Sequence, residues 1–485
     1  MSSLRDKTIL GIFWSFLEQV GAKGINFLVI IVLARILMPA DFGLIAMLAV
    51  FIDLSQALIN AGFGQALIQK KNTNEEDYSV VFYINLMISI VLYVVLYFCA
   101  PLIADFYQQP RLVNLTRVLS LVFVINAFSY IQETRLKKKM QFKILTSVHL
   151  PAILVGGAVG IWMGYKDFGV WSLVAFQLIY RLFYAIQIWI YTRWKPLFSF
   201  KWKNARELFS FGSKLMIATV INNLFKNAYL VVIGKFFPLT TLGYYENAQK
   251  LERIPSITIK RMLSNVTFSA FSSIQNDNKR LKNGYRRIMQ QVVFLTAPVF
   301  VFAAILADPL FSFLLTDKWL PAVPFFQLLC IEAIIRPLSS YNLEIANVKG
   351  RSDLYLKLNI ITKIIMVVGI VIAVPLGIWY LVAFQAVNIL INWGVNSIYS
   401  GRLIQYPIKE QFIDMLPIFL LTVFSGTVVF VVDIALKERS DLLRMLIGFL
   451  AGGGIYWLFS KLFKLEAYSA CKLVFVENIL GYFKK

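Results

Sequence analysis

The sequence predicts an all-α polytopic membrane protein with about fourteen transmembrane helices. The chain is 59% hydrophobic, with a mean hydropathy of +0.69, and its apolar stretches are long and continuous. A helix needs about 20 mostly apolar residues to cross the hydrocarbon core of a bilayer. Backbone groups find no partner in lipid, so long continuous stretches indicate helices rather than the ten-residue strands of a barrel.

The apolar stretches follow one another along the chain, and the segments between them are short, so we expect no soluble domain. The first stretch contains Glu18 and Lys23 and lacks a small-residue cleavage pattern, which indicates a retained helix rather than a signal peptide. The predicted spans are residues 10–33, 43–66, 79–103, 113–131, 144–164, 169–191, 208–234, 242–268, 288–314, 324–344, 357–376, 378–400, 415–436 and 442–463.

Basic residues outside the spans lie mostly in alternate loops, among them the loops that contain Lys70, Arg135, Lys195, Lys282 and Lys349. Lys and Arg are enriched in the cytoplasmic loops of membrane proteins, so we expect both termini in the cytoplasm. The net charge of +22 is spread over these short loops. That distribution favours anionic membrane lipids, and not nucleic acid, as the partner of the basic residues.

Cysteine chemistry is not expected to contribute to function. The three cysteines, Cys99, Cys330 and Cys471, are far apart and lie in or beside apolar segments, where thiols pack as small apolar side chains. We therefore expect no disulfide, no metal site and no cofactor. The sequence also shows no constellation of nucleophile and acid–base residues typical of an enzyme.

Two segments repeat within the chain. Residues 169–177 (GVWSLVAFQ) closely match residues 377–385 (GIWYLVAFQ), where spans 6 and 12 begin. Residues 35–43 correspond in the same way to residues 235–243, at the turns that follow spans 1 and 7. The offsets are nearly equal, so six helices recur. An even number of helices gives both copies the same orientation in the membrane.

The repeat predicts two pseudo-symmetric six-helix lobes and two further helices. The N-terminal lobe covers residues 1–198 and the C-terminal lobe residues 199–405, with a linker at 199–207. Spans 13 and 14 lie in residues 406–485, which end in a predicted amphipathic helix over 465–485. Two lobes that meet at the membrane midplane are the usual build of a secondary transporter.

Charged and amide side chains recur inside the apolar stretches at three- and four-residue steps. A charge at the bilayer centre costs about 2.5–3.5 kcal/mol, so such residues normally face protein or a water-filled cavity. Lys23, Arg181, Lys226 and Arg253 lie deepest and indicate a hydrated, basic cavity. Lys and Arg bind the oxygens of a diphosphate, and the amides fit sugar hydroxyls. The expected substrate-binding residues are Lys23, Asn26, Arg181, Asn223, Lys226, Arg253, Arg336, Asn388 and Asn392.

Three carboxylates inside spans are candidates for coupling proton or sodium binding to transport: Asp53, Glu246 and Glu332. Each also has a purely structural interpretation. Glu332 could pair with Arg336, four residues later on the same helix. Glu246 could pair with Lys250 in the same way. Asp53 could have no role other than a hydrogen bond that joins two helices.

Several motifs resemble those of a known family. Residues 37–44 (LMPADFGL) and 62–69 (GFGQALIQ) are similar to the amino-terminal signature of bacterial polysaccharide flippases. Residues 242–251 (LGYYENAQKL) with Pro255, and residues 317–324 (DKWLPAVP), resemble the same family. The motifs occur in family order over nearly the whole chain. The sequence is most similar to the colanic acid/amylovoran exporter type of the Wzx group, in the multidrug/oligosaccharidyl-lipid/polysaccharide (MOP) superfamily.

The resemblance implies a V-shaped pair of six-helix lobes in the bacterial inner membrane, and a flippase rather than an enzyme. The implied substrate is an undecaprenyl-diphosphate-linked oligosaccharide, moved to the periplasmic leaflet by alternating access for the synthesis of exopolysaccharide, O-antigen or capsule. We expect a monomer, and an association with the polysaccharide polymerase machinery is left open.

Two other functions are left open by the sequence. A multidrug efflux pump of the same superfamily would favour cationic drugs, for which a basic cavity is poorly suited. A membrane polysaccharide polymerase or ligase would need a sizeable extracytoplasmic loop with catalytic residues, and the predicted loops on that side are short.

Overall fold

A computed structural model describes residues 4–60, 62–70, 72–198 and 216–475 of this protein. All regular secondary structure in these ranges is helical, so the predicted all-α class is confirmed. The linker predicted at 199–207 lies outside the described residues, as do the last ten residues of the predicted C-terminal amphipathic helix.

In chain order the α-helices are α1 (Leu4–Ile36), α2 (Pro39–Asn60), α3 (Phe63–Gln69), α4 (Glu75–Tyr107), α5 (Leu112–Leu119), α6 (Leu121–Lys138), α7 (Phe142–Tyr165), α8 (Trp171–Thr192), α9 (Met216–Lys226), α10 (Ala228–Phe236), α11 (Leu239–Ser273), α12 (Asn278–Ile305), α13 (Ala307–Leu315), α14 (Val323–Val348), α15 (Ser352–Ala373), α16 (Ile378–Ile404), α17 (Ile408–Ala435), α18 (Asp441–Leu462) and α19 (Glu466–Phe475). Short 3-10 helices lie at Asp317–Ala322 and Val374–Leu376.

Many of these helices have the length and composition of membrane spans. In the described part of the chain, eleven are long and apolar enough to cross a membrane, and the bent pair α9 and α10 would make a twelfth. The two other predicted spans, 10–33 and 242–268, lie in the long helices α1 and α11. The chain is therefore a multi-pass membrane protein, whereas the count of fourteen spans stays a prediction.

Helix α4 shows how the sequence builds one span. Asn74 and Asp77 cap its start, because each side chain accepts a hydrogen bond from the backbone N–H of the other, at 2.9 and 3.2 Å. Further along, Met87, Phe98 and Leu102 are 61%, 73% and 67% exposed. Apolar side chains exposed along a whole long helix are suited to contact with acyl chains rather than with water.

Some predicted spans are interrupted, and one must be corrected. The span predicted at 288–314 is not continuous, because α12 ends at Ile305 and α13 starts as a separate helix at Ala307. Leu306 joins them and is buried, so hydropathy gives no sign of the break. The span predicted at 113–131 contains a local irregularity at Ser120, between α5 and α6, but Leu112–Lys138 as a whole is long and apolar enough to cross a membrane.

The chain divides into two compact units, residues 1–243 and 244–485. In the first unit α7 packs on α1 and α8. Gly156 permits this close approach, because a Cβ atom there would lie 2.7 Å from the Cβ atom of Tyr180. In the second unit α14 packs on α12 and α16. The lobe boundary predicted after residue 198 lies inside the first unit and stays a prediction.

Candidate functional site

The first unit contains a cavity of about 470 Å³ that is lined by both polar and apolar groups. Helix α2 provides Asp53 and Gln56, and α9 provides Thr219, Asn223 and Lys226. The other lining residues are Ala57, Gly62, Gln65, Tyr130 and Met216. Amide, hydroxyl and charged groups converge on this space, so its chemistry suits a polar ligand.

Asp53 is the centre of the hydrogen-bonding network in this wall. Its Oδ2 atom accepts hydrogen bonds from Lys226 Nζ at 3.1 Å and from Asn227 Nδ2 at 3.0 Å. Its backbone carbonyl accepts another from Asn223 Nδ2 at 3.1 Å. Asp53 therefore joins α2 to α9 and to the residue that follows α9, as its structural interpretation expects. A role for Asp53 in coupling stays a prediction.

The network lies at a bend in the chain. Helices α9 and α10 meet at an angle of 42°, and Asn227 stands between them, 2% exposed. Besides its bond to Asp53, Asn227 Nδ2 donates to the carbonyl of Asn223 at 3.0 Å. Side chains that bond to backbone groups in this way allow a membrane helix to bend. The sequence predicted one continuous span at 208–234, because helix breaks are expected at proline or glycine and residue 227 is an asparagine.

The charges in the wall balance. The side chains of Lys226 and Asp53 are 49% and 36% exposed, so their ion pair contributes little to stability. One positive and one negative charge cancel while the pair is intact. The described wall therefore offers hydrogen-bonding groups without the net positive charge that the sequence predicted for the cavity as a whole.

The second unit contains a charged cluster where α11, α14 and α16 meet. Arg336 Nη2 lies 2.9 Å from Glu332 Oε1, and Arg336 Nη1 lies 3.5 Å from Glu252 Oε1. Gln385 Nε2 donates to Glu332 Oε2 at 2.7 Å, and the hydroxyl of Tyr245 donates to Gln385 Oε1 at 2.8 Å. We call these five residues the Arg336 cluster. The cluster links three membrane helices: Arg336 joins α14 to α11, and Gln385 joins α16 to both.

Glu252 is the residue of this cluster that sequence reasoning missed. It is fully buried, and its Oε2 atom has no hydrogen-bond partner among the described residues. Its Oε1 atom accepts a hydrogen bond from Ser256 at 2.5 Å. Glu252 could have been identified from the sequence as a carboxylate inside the span predicted at 242–268. The arginine that faces it comes from another helix, which no local pattern reveals.

Glu332 and Glu246, the other two candidate coupling carboxylates, form the ion pairs that their structural interpretations predict. Glu332 pairs with Arg336, and Glu246 pairs with Lys250 at 3.1 Å, in each case one helical turn later. Helical pairs at this spacing are common and modest in energy. Coupling roles for Glu246 and Glu332 stay predictions.

The remaining candidates in the first unit lie on α1 and α8. Lys23 is exposed and Asn26 is half-buried. The Arg181 guanidinium lies 4.9 Å from the centre of the Tyr180 ring, a cation–π contact. The hydroxyl of Tyr180 is hydrogen-bonded to His149 on α7.

In the second unit the remaining candidates lie on α11 and α16. Arg253 is half-buried on α11, next to Glu252. Asn388 and Asn392 lie on α16, and their Oδ1 atoms are buried. The candidates thus fall into two groups, one in each compact unit. That they line a single cavity together stays a prediction.

Comparison with known proteins gives the family and the fold. Residues 32–324 match the protein family described as "Polysaccharide biosynthesis protein". The chain is 26% identical over 410 residues to the teichuronic acid biosynthesis protein TuaB of Bacillus subtilis (strain 168), a match that covers 84% of this chain and 85% of the relative. It is 24% identical over 376 residues to the lipopolysaccharide biosynthesis protein WzxC of Escherichia coli (strain K12), covering 76% of each chain.

Among solved structures, the lipid II flippase MurJ in an inward closed conformation is similar with a TM-score of 0.72. The match covers 93% of this chain and 99% of that chain at 15% identity. At such low identity the likeness shows a shared fold alone. The resemblance to a family of polysaccharide biosynthesis proteins, inferred from the sequence, is confirmed by the family match and by these relatives.

Proposed function

Because the chain belongs to the polysaccharide biosynthesis protein family, we propose that it flips a lipid-linked oligosaccharide across the bacterial inner membrane. The relatives support the proposal, since they are named for the biosynthesis of teichuronic acid and of lipopolysaccharide. The observation that carries it is the cavity of about 470 Å³ among membrane-spanning helices, into which amide, hydroxyl and charged side chains project. Polar side chains in this cavity would replace the hydrogen bonds that the sugar head makes to water before it enters the membrane.

The substrate's parts match groups in this wall. Sugar hydroxyls both donate and accept, as do the amides of Gln56, Gln65 and Asn223. The carrier lipid in our proposal is undecaprenyl diphosphate, whose diphosphate would bind Lys226 in place of Asp53. A charge-assisted hydrogen bond to phosphate is roughly twice as strong as a neutral one. The other basic candidates, Lys23, Arg181 and Arg253, would offset the remaining negative charge. Arg336 already pairs with Glu332 and Glu252.

Coupling to an ion would drive the replacement of Asp53 by the diphosphate at Lys226 and so give transport a direction. A proton or a sodium ion on Asp53 would neutralise the carboxylate and release Lys226 for the substrate. The same ion would weaken the hydrogen bond from Asn227 at the bend between α9 and α10. Glu246 and Glu332 are the corresponding candidates in the second unit.

The protein's surroundings follow from the same proposal. Both termini lie in the cytoplasm, where the basic loops bind anionic lipids. The protein transports its substrate unchanged and is not an enzyme. It works as a monomer, and any partner would come from the polysaccharide polymerase machinery.

A strain that lacks the gene tests the function. We expect loss of surface polysaccharide and accumulation of lipid-linked repeat units in the cytoplasmic leaflet, both reversed by the intact gene. Greater sensitivity to cationic drugs with unchanged polysaccharide would contradict the proposal and favour a multidrug pump. Accumulation of single repeat units in the periplasmic leaflet would also contradict it and favour a polymerase or ligase.

A further inference from the structure

Helix α16 has an unusual row of buried polar atoms without partners. The atoms are Asn388 Oδ1, Asn392 Oδ1, Trp393 Nε1, Asn396 Oδ1 and Ser397 Oγ, and none has a hydrogen-bond partner among the described residues. They fall within ten consecutive residues of a membrane-spanning helix. A buried polar group left without a partner costs about 1–3 kcal/mol, so five together would strongly oppose folding.

Three of these atoms lie along one face of α16. Asn388, Asn392 and Asn396 recur every four residues, so their side chains follow one another along the helix. Asn396 Nδ2 donates to Ser339 Oγ at 3.0 Å, and Ser339 lies on α14. The row of asparagines therefore runs along the contact between α14 and α16. Of the described helices, α14 is the one that α16 contacts most extensively.

Both ends of the row reach charged groups. At one end Gln385, three residues before Asn388, donates to Glu332 of the Arg336 cluster. At the other end Ser400 donates to Asn342 of α14, which in turn donates to Gln411 of α17 at 3.2 Å. The rise from residue 385 to residue 400 is about 22 Å at 1.5 Å per residue.

The end near α17 continues to an ionised group. Gln411 Nε2 donates to the carbonyl of Tyr406 at 2.9 Å, and the Tyr406 hydroxyl donates to Asp414 at 2.7 Å. Asp414 forms an ion pair with Arg286 at 2.8 Å, and the Arg286 side chain is 36% exposed. The polar row thus extends from the Arg336 cluster to a charged pair that is partly exposed.

We propose that the contact between α14 and α16 holds a file of bound water molecules that reaches the Arg336 cluster from the Asp414 end. Water is the ligand that fits, because a buried water makes two to four hydrogen bonds and can both donate to the asparagine oxygens and accept from Trp393. Apolar groups would leave the same atoms without partners. The file would hydrate the buried carboxylates of Glu332 and Glu252, which share the single guanidinium of Arg336 within the cluster.

Radiolytic labelling of the protein in lipid nanodiscs tests the proposal directly. A short X-ray pulse makes hydroxyl radicals from water in place, so a buried side chain is labelled only when bound water lies beside it. Trp393 is the reporter. Trp189 is the matched control, because it is half-buried like Trp393 and its ring nitrogen already donates to the carbonyl of Phe128 at 2.8 Å. We expect Trp393 to be labelled at least about fivefold more than Trp189.

Substitutions then locate the water. Asn392→Leu and, separately, Asn388→Leu should each reduce labelling of Trp393 at least about threefold, because an apolar side chain removes an oxygen that holds water. Ile391→Leu is the control variant, since Ile391 is 37% exposed on the outer side of the same helix. It should leave the labelling unchanged.

Two outcomes would overturn the proposal: equal labelling of Trp393 and Trp189 in the unmodified protein, or unchanged labelling of Trp393 in both asparagine variants. The first comparison needs no variant, so it stands even if a variant fails to fold. The measurement is independent of transport, and a failure of the proposed flippase function would leave its result unchanged.

Discussion

Replacing Arg336 by methionine should destabilise the protein by about 3 kcal/mol and abolish export. Removing one partner of a buried ion pair typically costs about 3–5 kcal/mol, because the opposite charge remains buried without compensation. We expect the low end of that range, since the Arg336 side chain is 37% exposed. Glu252 is fully buried and would lose the only cation that contacts it among the described residues. Thermal unfolding in detergent measures the change in stability.

A matched control separates this effect from the loss of any arginine. Arg351 pairs with Asp353 at 2.8 Å, but the two side chains are 54% and 66% exposed. Exposed ion pairs contribute little to stability, so Arg351→Met should leave the unfolding temperature almost unchanged. The double variant Glu252→Gln with Arg336→Met should recover part of the lost stability. A single Arg336 variant as stable as the Arg351 variant would refute the buried cluster.

Replacing Lys226 by methionine should lower export by about tenfold to a hundredfold at normal protein level. Hydrogen bonds to charged groups contribute about 1.5–3 kcal/mol, which sets this range if Lys226 binds the diphosphate. The ion pair with Asp53 is too exposed for its loss to unfold the protein. Surface polysaccharide in a complemented deletion strain measures export. Lys357→Met, at an exposed position on α15, is the control and should have no effect.

A double variant decides whether Lys226 acts on the substrate or only neutralises Asp53. If neutralisation were its whole role, Asp53→Asn together with Lys226→Met would restore export, because no unpaired charge remains. If Lys226 binds the substrate, the double variant should export as poorly as Lys226→Met alone. Restored export in the double variant would contradict the substrate role.

The helices were predictable from the sequence because hydropathy and helix length are local properties. Most spans begin and end within a few residues of their predicted bounds, as α7 and α8 show. Breaks between two apolar segments were not predictable. Leu306 and Asn227 each separate two helices, yet neither residue is a proline or a glycine, the residues that usually mark a break in a helix.

The candidate site was predictable only in part, for the same physical reason. The pairing of Glu332 with Arg336 follows from their spacing along one helix. The contacts of Arg336 with Glu252 and of Lys226 with Asp53 join different helices, and sequence spacing does not determine which helices meet. Polar faces could be recognised along each helix, whereas the partners across the bundle required the fold.

The central claim is that this protein carries an oligosaccharide head across the membrane past the polar wall around Lys226. Purified protein in liposomes with a fluorescent undecaprenyl-diphosphate oligosaccharide tests it most directly, with a membrane-impermeant quencher reporting the leaflet. The account predicts rapid exchange of the lipid between leaflets with the unmodified protein and at least about tenfold slower exchange with Lys226→Met. Exchange no faster than in protein-free liposomes, from protein that is folded, would contradict it.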